Sequence, residues 1–244
     1  MKRRKTMKKI LAMLLVLVLA LSFAACNKDN NNDPAFDPSA KSEGVMTYAE
    51  YDAAALDTPV VIEAYVQATQ SWWDNKITVY AQDPDGAYFI YEMACTEEDA
   101  AKLVPGTKIK VTGHKGAWAG EVEVMNPTFE IVNDGTWIAE PTDVTALLGT
   151  DDLIKKQNML VEFKGMTVES ISYKGDAPGD DIYVNVSYNG NTYGFCVERY
   201  LTAPDTDLYK AVQALEVGAK VDITGFLYWY EGVNTHITGV TVVE

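Results

Sequence analysis

Short apolar stretches separated by turn residues dominate the chain from residue 57 onward. In the first half these stretches are VVIEAYVQATQ (60–70), KITVYAQ (76–82) and AYFIYEM (87–93). Each is rich in β-branched and aromatic residues, and DPDG (83–86) separates the last two, so the pattern predicts three strands with a tight turn. TEEDAAKL (96–103) follows, with Thr96 as N-cap and acidic residues in its first turn, and predicts a short helix.

The chain repeats this organisation in its second half. LVPGTKIKVTGHKGAWAGEVEV (103–124) aligns without a gap with LEVGAKVDITGFLYWYEGVNTH (215–236), including the pairs Gly106 with Gly218 and Gly113 with Gly225. Both copies alternate apolar and polar residues, which predicts a half-buried strand, a bend at glycine and a hairpin. Upstream of each copy the elements also repeat, so the order strand, strand, strand, helix, strand, strand occurs twice.

A five-stranded meander with one helix between its third and fourth strands resembles the OB-fold, a small and partly open barrel. The resemblance covers residues 57–134 and 155–244, and rests on the element order, the internal repeat and the motif G.K..VTG. It implies a mainly β protein of two tandem five-stranded OB-like barrels, each with one short helix between strands three and four.

These features divide the chain after residue 25 into a tether, two domains and a connector. Domain 1 is expected at 45–134 and domain 2 at 155–244, with a connector at 135–154 that carries a short helix from Thr142 or Asp143. Residues 26–44 combine Asn, Asp, Pro and Ser with a single aromatic residue, which predicts a disordered tether.

The first 25 residues have the form of a signal peptide, because a basic segment precedes the apolar run ILAMLLVLVLALSF and the small residues Ala24 and Ala25. Cys26 then follows, as in the lipobox of bacterial lipoproteins, although Phe23 stands where that family has an aliphatic residue. An ordinary secretory peptide cleaved at Ala25 would leave a free thiol, so lipidation of Cys26 is favoured. The chain therefore resembles bacterial surface lipoproteins with tandem OB-like domains, which implies anchoring on the extracytoplasmic side of a cell membrane.

Net charge restricts the possible ligands, and the positions of the cysteines restrict the possible disulfide. Without residues 1–25 the chain carries fourteen basic and thirty-five acidic residues, a net charge of −21. Such a field repels polyanions, so nucleic acid is ranked third among the ligand classes. Cys95 and Cys196 fall in different domains, and two separate buried thiols are favoured over a disulfide, which stays open.

Catalytic signatures are missing from the sequence. The two histidines, His114 and His236, do not correspond in the repeat, and neither stands at zinc-ligand spacing. The expectation is a non-enzyme without metal or cofactor. DPDG (83–86) and GDAPGDD (175–181) are interpreted as turns, with calcium binding left open.

The tryptophans provide the candidate site. In an OB-like barrel the loops after strands one and four flank the face of strands two and three. SWWDN (71–75) and HKGAWAGE (114–121) occupy those loops in domain 1. The sequence therefore predicts a ligand groove formed by five aromatic residues: Trp72, Trp73, Trp118, Tyr80 and Tyr88.

The expected ligand of this groove is a neutral or cationic oligomer, either a glycan or a peptide, because aromatic faces bordered by carboxylates suit both. The alternative is a structural or adaptor protein whose aromatics contact a protein partner or the other domain. A weaker second site is expected in domain 2 at Tyr173, Tyr228 and Tyr230. The oligomeric state stays open.

Overall fold

The computed structural model describes residues 36–243 of the chain. These residues form eleven strands and three short α-helices. The first half contains α1 (Tyr48–Ala53), β1 (Pro59–Thr69), β2 (Lys76–Gln82), β3 (Ala87–Ala94), α2 (Glu97–Ala100), β4 (Thr107–Trp118) and β5 (Glu121–Thr136). The second half contains β6 (Thr142–Asp143), β7 (Leu160–Tyr173), β8 (Ile182–Tyr188), β9 (Asn191–Val197), α3 (Asp207–Gln213), β10 (Lys220–Phe226) and β11 (His236–Val243). The predicted signal peptide, Cys26 and the first part of the tether lie outside the described residues.

Barrel 1 is closed, with the strand order β1-β2-β3-β5-β4. β1 pairs antiparallel with both β2 and β4, and the barrel closes where β3 meets β5 in parallel at Phe89–Glu123 and Ile90–Val124. Alternate residues along the strands point inward, as the period of two requires. The resulting core includes Val60, Ile62, Val79, Ile90, Met93, Ile109 and Val111.

Barrel 2 is a six-stranded sheet of order β10-β11-β9-β8-β7-β6, in which β10 also pairs with β7. β11 approaches β9 in parallel at the single pair His236–Cys196. Its core includes Phe163, Met166, Val184, Val186, Phe195, Val221 and Ile223. The expected mainly β, OB-like fold is thereby confirmed, with α2 between β3 and β4 and α3 between β9 and β10.

The connector differs from its prediction. Thr142 and Asp143 form the short strand β6, which runs parallel to Val161 and Glu162 of β7. The Asp143 carboxylate accepts hydrogen bonds from the Thr145 backbone and hydroxyl at 3.0 and 2.7 Å, and the chain then makes a 3-10 turn, Thr145–Leu147. The predicted helix start at Thr142 or Asp143 is therefore wrong, because pairing with β7 captures these residues.

Residues 36–46, which we name the N-terminal strap, are ordered against barrel 1. The Phe36 ring lies edge-on to Tyr65 at 6.4 Å. The Lys41 ammonium donates to the Asp83 carboxylate at 2.5 Å and to the Glu63 carbonyl at 2.6 Å. For residues 36–44 the predicted disorder is wrong, because a few specific polar contacts fix a segment whose composition offers little apolar burial. Within 36–243, no helix has the length and apolar character needed to cross a membrane.

The two barrels pack directly on each other, and Phe36–Glu244 form one compact unit. Tyr80 and Phe89, on the outer face of β2 and β3, are buried against Phe226 and Tyr228. The Tyr80 and Phe226 rings stack with their centroids 4.5 Å apart. Barrel 2 thus covers the middle of the face on which an OB-like barrel usually binds its ligand.

Candidate functional site: the inter-barrel cleft

A tight hairpin turn positions Trp73 between β1 and β2. Trp73 and Lys76 exchange two backbone hydrogen bonds, of 3.0 and 2.9 Å. Between them Asp74 and Asn75 both have positive φ, 48° and 58°. Two successive residues with positive φ define a type I′ turn, and Asp and Asn tolerate it better than most residues. The turn holds Trp73 outward with 77% of its surface exposed.

Trp72 has a different role from its neighbour. Its ring packs against the core of barrel 1, and its Nε1 donates a hydrogen bond to the Cys95 carbonyl at 2.8 Å. Adjacent side chains in an extended segment point in opposite directions, so one tryptophan closes the barrel end while the other faces solvent. The sequence grouped Trp72 and Trp73 as one pair, and the structure separates them.

A cleft of about 710 Å³, which we name the inter-barrel cleft, opens beside Trp73. Barrel 1 contributes Ser71, Trp72, Trp73, Lys76, Thr78, Tyr91 and Glu92, and barrel 2 contributes Arg199, Tyr200, Ala203 and Pro204. The Ser71 backbone N–H donates to the Tyr200 carbonyl at 2.7 Å, which fixes the distance between the two walls. The cleft is the part of the β2–β3 face that barrel 2 leaves open.

Three exposed aromatic side chains line this cleft. Trp73, Tyr91 and Tyr200 expose 77%, 41% and 50% of their surfaces. The Tyr91 ring continues a stack that begins at the buried Phe89, with centroids 6.3 Å apart. Aromatic rings with exposed surface offer stacking sites for planar groups.

The cations of the cleft are each paired with a carboxylate. Lys76 donates to Glu92 at 2.8 Å, and this hydrogen bond raises the pKa of Lys76 and lowers that of Glu92. The Arg199 guanidinium lies 5.0 Å from the centroid of the Tyr200 ring and 3.6 Å from the Asp180 carboxylate. An anion entering the cleft therefore meets two cations that already have partners, so electrostatic attraction is weaker here than in a basic groove.

Two of the predicted groove residues are buried. Tyr80 points away from the core of barrel 1, as the alternation required, but barrel 2 covers it and leaves 1% exposed. Tyr88 is fully buried in the core of barrel 1, where its ring lies 4.9 Å from Tyr51. Neither presents a surface to a ligand, because barrel 2 covers Tyr80 and α1 packs against Tyr88. The local sequence pattern did not reveal either contact.

Trp118 is exposed, at 56%, but does not line the inter-barrel cleft. Its ring lies 5.1 Å from Tyr230 of barrel 2, at the junction of the two hairpins that follow β4 and β10. Tyr228 is buried between the barrels and Tyr173 packs against the core of barrel 2. The three residues of the predicted second site are therefore not gathered into one surface.

Sequence reasoning missed Tyr91, Arg199 and Tyr200. Tyr91 has the same parity as Phe89 on β3, so its outward direction was available from the alternation. Arg199 and Tyr200 come directly after β9, and only the packing of the two barrels brings them to Trp73. Cys95 and Cys196 are buried free thiols. Among residues 36–243 no group of three or more His, Cys, Asp or Glu side chains has the geometry to hold a metal ion.

No protein-family model and no curated protein matches the chain. Among solved structures, a murine DNA-binding protein bound with double-stranded DNA is 14% identical, with a TM-score of 0.36 over 76% of this chain and 95% of that chain. A Replication Protein A heterotrimer bound to single-stranded DNA is 10% identical, with a TM-score of 0.34 over 79% of this chain and 51% of that chain. A HINa domain in complex with double-stranded DNA is 11% identical, with a TM-score of 0.34 over 78% and 97%.

These similar structures are DNA-binding proteins, and they contradict two expectations from the sequence. One was that the ligand is a glycan or a peptide, with a protein partner as the alternative. The other was that nucleic acid is the least favoured partner. At these identities and scores the likeness concerns the fold alone, so a ligand for this chain has to be inferred from the side chains of the cleft.

Proposed function

We propose that the inter-barrel cleft binds single-stranded nucleic acid by stacking bases on its exposed rings. The observation that carries this proposal is the convergence of Trp73, Tyr91 and Tyr200 on one cleft, beside Lys76 and Arg199. Base stacking on aromatic side chains is sequence-tolerant, because every base has a π-face, and cations beside the rings attract the phosphates. A single strand fits the requirement better than a duplex, since only unpaired bases can present their faces to the rings.

Stacking supplies most of the affinity in this arrangement. Each stacked base contributes about 1–3 kcal/mol. The cleft offers only two cations, and both must exchange a carboxylate partner for a phosphate. With about two phosphates neutralised, the slope of log K against log salt is expected near −1.4 for a single strand. Binding is thus expected to be modest in strength and much less salt-dependent than in a basic OB-fold groove.

The test compares two exposed tryptophans in the chain from residue 27, using a fluorescein-labelled oligothymidine and fluorescence anisotropy. Trp73→Ala is expected to weaken binding about tenfold or more, the equivalent of one lost stack. Trp118→Ala, which removes an exposed ring outside the cleft, is the matched control and is expected to bind as the parent does. Equal affinities for the parent and Trp73→Ala, or equal losses in both variants, would refute the proposal.

We also propose that Cys26 carries a lipid and holds the barrels on the extracytoplasmic side of a bacterial membrane. The basic and apolar segments before Ala24, Ala25 and Cys26 support this proposal. In the full-length chain, Cys26→Ser is expected to move the protein from the membrane fraction to the soluble one and to abolish the mass added by acyl chains. Membrane association of the variant equal to that of the parent would contradict the anchor.

The proposed activity is binding without catalysis. The chain's only two histidines support this proposal, because His236 is buried between the barrels and His114 lies on β4, outside the cleft. An oligonucleotide incubated with the protein, with and without Mg²⁺, is expected to be recovered at full length. Cleavage that persists in purified protein and disappears in the Glu92→Gln variant would identify an enzyme instead.

A further inference from the structure

An exposed apolar patch lies at the end of barrel 1 where the N-terminal strap begins. Phe36, Ile138 and Val104 expose 49%, 60% and 56% of their surfaces, and Trp137 is half-buried among them. We name these four residues the entry patch. Exposed apolar groups that cluster in this way mark interaction surfaces more often than isolated ones do.

Three segments of chain contribute to the entry patch. The Phe36 ring meets the buried Tyr65 edge-on at 6.4 Å, and the Trp137 ring lies 5.8 Å from the same tyrosine. Ile138 packs over Gly106, where an added Cβ would meet the Ile138 Cγ1 at 3.4 Å. Val104 stands two residues before that glycine. Phe36 and Trp137 therefore share one buried tyrosine, and Ile138 packs over the glycine that follows Val104 by two residues.

Hydrogen bonds to the barrel make this surface rigid. The Gly106 N–H donates to the Val66 carbonyl at 2.8 Å, and the Ala139 N–H donates to the buried Gln67 side chain at 2.8 Å. The backbone on both sides of the patch is thus tied to the end of β1.

We propose that the entry patch rests on the surface of a lipid bilayer. This inference rests on the proposed lipidation of Cys26, since only nine residues, 27–35, separate that cysteine from Phe36. Even fully extended, nine residues span at most about 32 Å. The anchor therefore keeps the Phe36 end of barrel 1 within a short distance of the headgroups, and the exposed apolar groups at that end face the membrane first.

The chemistry of the patch fits the interfacial region of a bilayer. Tryptophan and phenylalanine side chains favour this region, and a second membrane contact strengthens attachment by an acyl anchor. Acidic side chains stand close to Trp137 and Ile138 in the sequence: Glu140, which is exposed, and Asp134, which pairs with Lys108 at 3.2 Å. The contact is therefore expected to be shallow and to be stronger on zwitterionic than on anionic headgroups.

The test places an environment-sensitive NBD fluorophore on the patch and at a matched control position. Ile138→Cys labels the patch, and Val242→Cys labels barrel 2 at nearly the same exposure, 60% against 63%. Both variants are prepared as the lipidated full chain in phosphatidylcholine vesicles. The label at 138 is expected to brighten several-fold and shift to the blue, while the label at 242 keeps its emission in buffer. Adding phosphatidylglycerol is expected to reduce the change at 138.

Failure of the anchor and failure of the patch give different results. If the chain does not float with vesicles, the lipidation proposal fails, and a hexahistidine tag before Asn27 on nickel-chelating phosphatidylcholine vesicles then supplies the tether. With either tether, unchanged emission at 138 or equal changes at both positions would overturn the inference. Phe36→Ser provides a second reading, since loss of one apolar group is expected to diminish the signal at 138 without releasing the tethered chain.

Discussion

The hydroxyl oxygen of Tyr80 lies 2.6 Å from Nδ1 of His236, and this contact joins the two barrels at the centre of their interface. The His236 ring also stacks on Tyr228, with centroids 4.2 Å apart. Burial lowers the pKa of His236 to about 3, so the imidazole is neutral near pH 7. Burial also raises the pKa of Tyr80, so both side chains are neutral near pH 7 and the hydrogen bond joins two uncharged groups.

Tyr80→Phe is expected to destabilise the protein by about 1–3 kcal/mol, because it leaves the buried Nδ1 of His236 without its hydrogen-bond partner. The ring itself is retained, so the stack on Phe226 survives and the loss reports the two hydrogen bonds of the hydroxyl, with His236 and from the Gln70 amide at 3.3 Å. Urea unfolding followed by far-UV circular dichroism measures the difference. Tyr183→Phe, which removes a hydroxyl from a side chain 39% exposed, is expected to change stability by less than about 0.5 kcal/mol. Equal effects of the two substitutions would mean that the Tyr80 contact is energetically unimportant.

The same interface contains a buried carboxyl group with the opposite behaviour. Burial raises the pKa of Glu121 to about 8, although its Oε2 accepts hydrogen bonds from the Trp229 backbone at 2.8 Å and the Gln157 amide at 3.2 Å. Among residues 36–243 its other oxygen is buried and has no hydrogen-bond partner. The unfolded chain ionises this carboxyl above pH 4.5, whereas the folded chain keeps it neutral up to about pH 8. Stability from this group is therefore lost as pH rises from 4.5 to 8.

His236 acts in the other direction, because the unfolded chain binds its proton below pH 6.5 and the folded chain does so only near pH 3. Between pH 4.5 and 6.5 the two slopes cancel, so these groups predict a plateau with losses on either side. Each contributes up to about 5 kcal/mol over its full range. Urea midpoints measured from pH 3 to 9 give the profile.

Glu121→Gln isolates one side of this profile, since the amide imitates the neutral acid. Relative to the parent, the variant is expected to gain stability progressively between pH 4.5 and 8 and to keep the same acid-side loss. Other titrating groups contribute equally to both proteins and cancel in the difference. A parent-to-variant difference that stays constant over this range would show that Glu121 titrates normally in the folded protein.

The order of strands, the internal repeat and the inward faces followed from the alternation of apolar residues, because that alternation is set by each barrel's own core. Tyr80 shows where such reasoning ends. Its outward direction was predictable, but whether it meets water or Phe226 depends on how two barrels pack, and no local pattern encodes that. The same limit hid the contribution of Arg199 and Tyr200 to the cleft. The prediction of disorder in the strap was wrong for a different reason, since composition cannot reveal single contacts such as that of Lys41 with Asp83.

Trp72 and Trp73 are expected to respond oppositely to substitution. Trp72→Ala removes a ring packed on the core of barrel 1 and a hydrogen bond to the Cys95 carbonyl, and is expected to cost about 2–4 kcal/mol of stability. Trp73→Ala removes a ring that is 77% exposed and is expected to change stability by less than about 0.5 kcal/mol. Thermal and urea unfolding measure both. A large loss in Trp73→Ala would mean that its effect on binding cannot be separated from folding.

The ordered conformation of the strap is expected to depend strongly on Lys41, although this residue lies in a polar segment of the sequence. Asp83 is fully buried, and Lys41 is the cation paired with it, at 2.5 Å and itself 11% exposed. Asp83 keeps two backbone donors, the N–H groups of Asp85 at 2.7 Å and Gly86 at 3.0 Å. Lys41→Ala therefore leaves a buried carboxylate that these backbone N–H groups stabilise only in part. The substitution is expected to lower the free energy of unfolding by about 2–4 kcal/mol, near the lower end of the range for breaking a buried ion pair.

Lys110 supplies the control for this prediction, because its pair with Glu130, at 3.6 Å, lies at the surface with 28% and 68% of the side chains exposed. Lys110→Ala is expected to cost at most about 1 kcal/mol. Adding Asp83→Asn to Lys41→Ala is expected to recover part of the loss, since it removes the uncompensated charge. Protease cleavage within residues 36–46 reports the strap separately and is expected to accelerate in Lys41→Ala alone. Equal losses in the two lysine variants, without faster cleavage, would mean that the strap is held by Phe36 rather than by the ion pair.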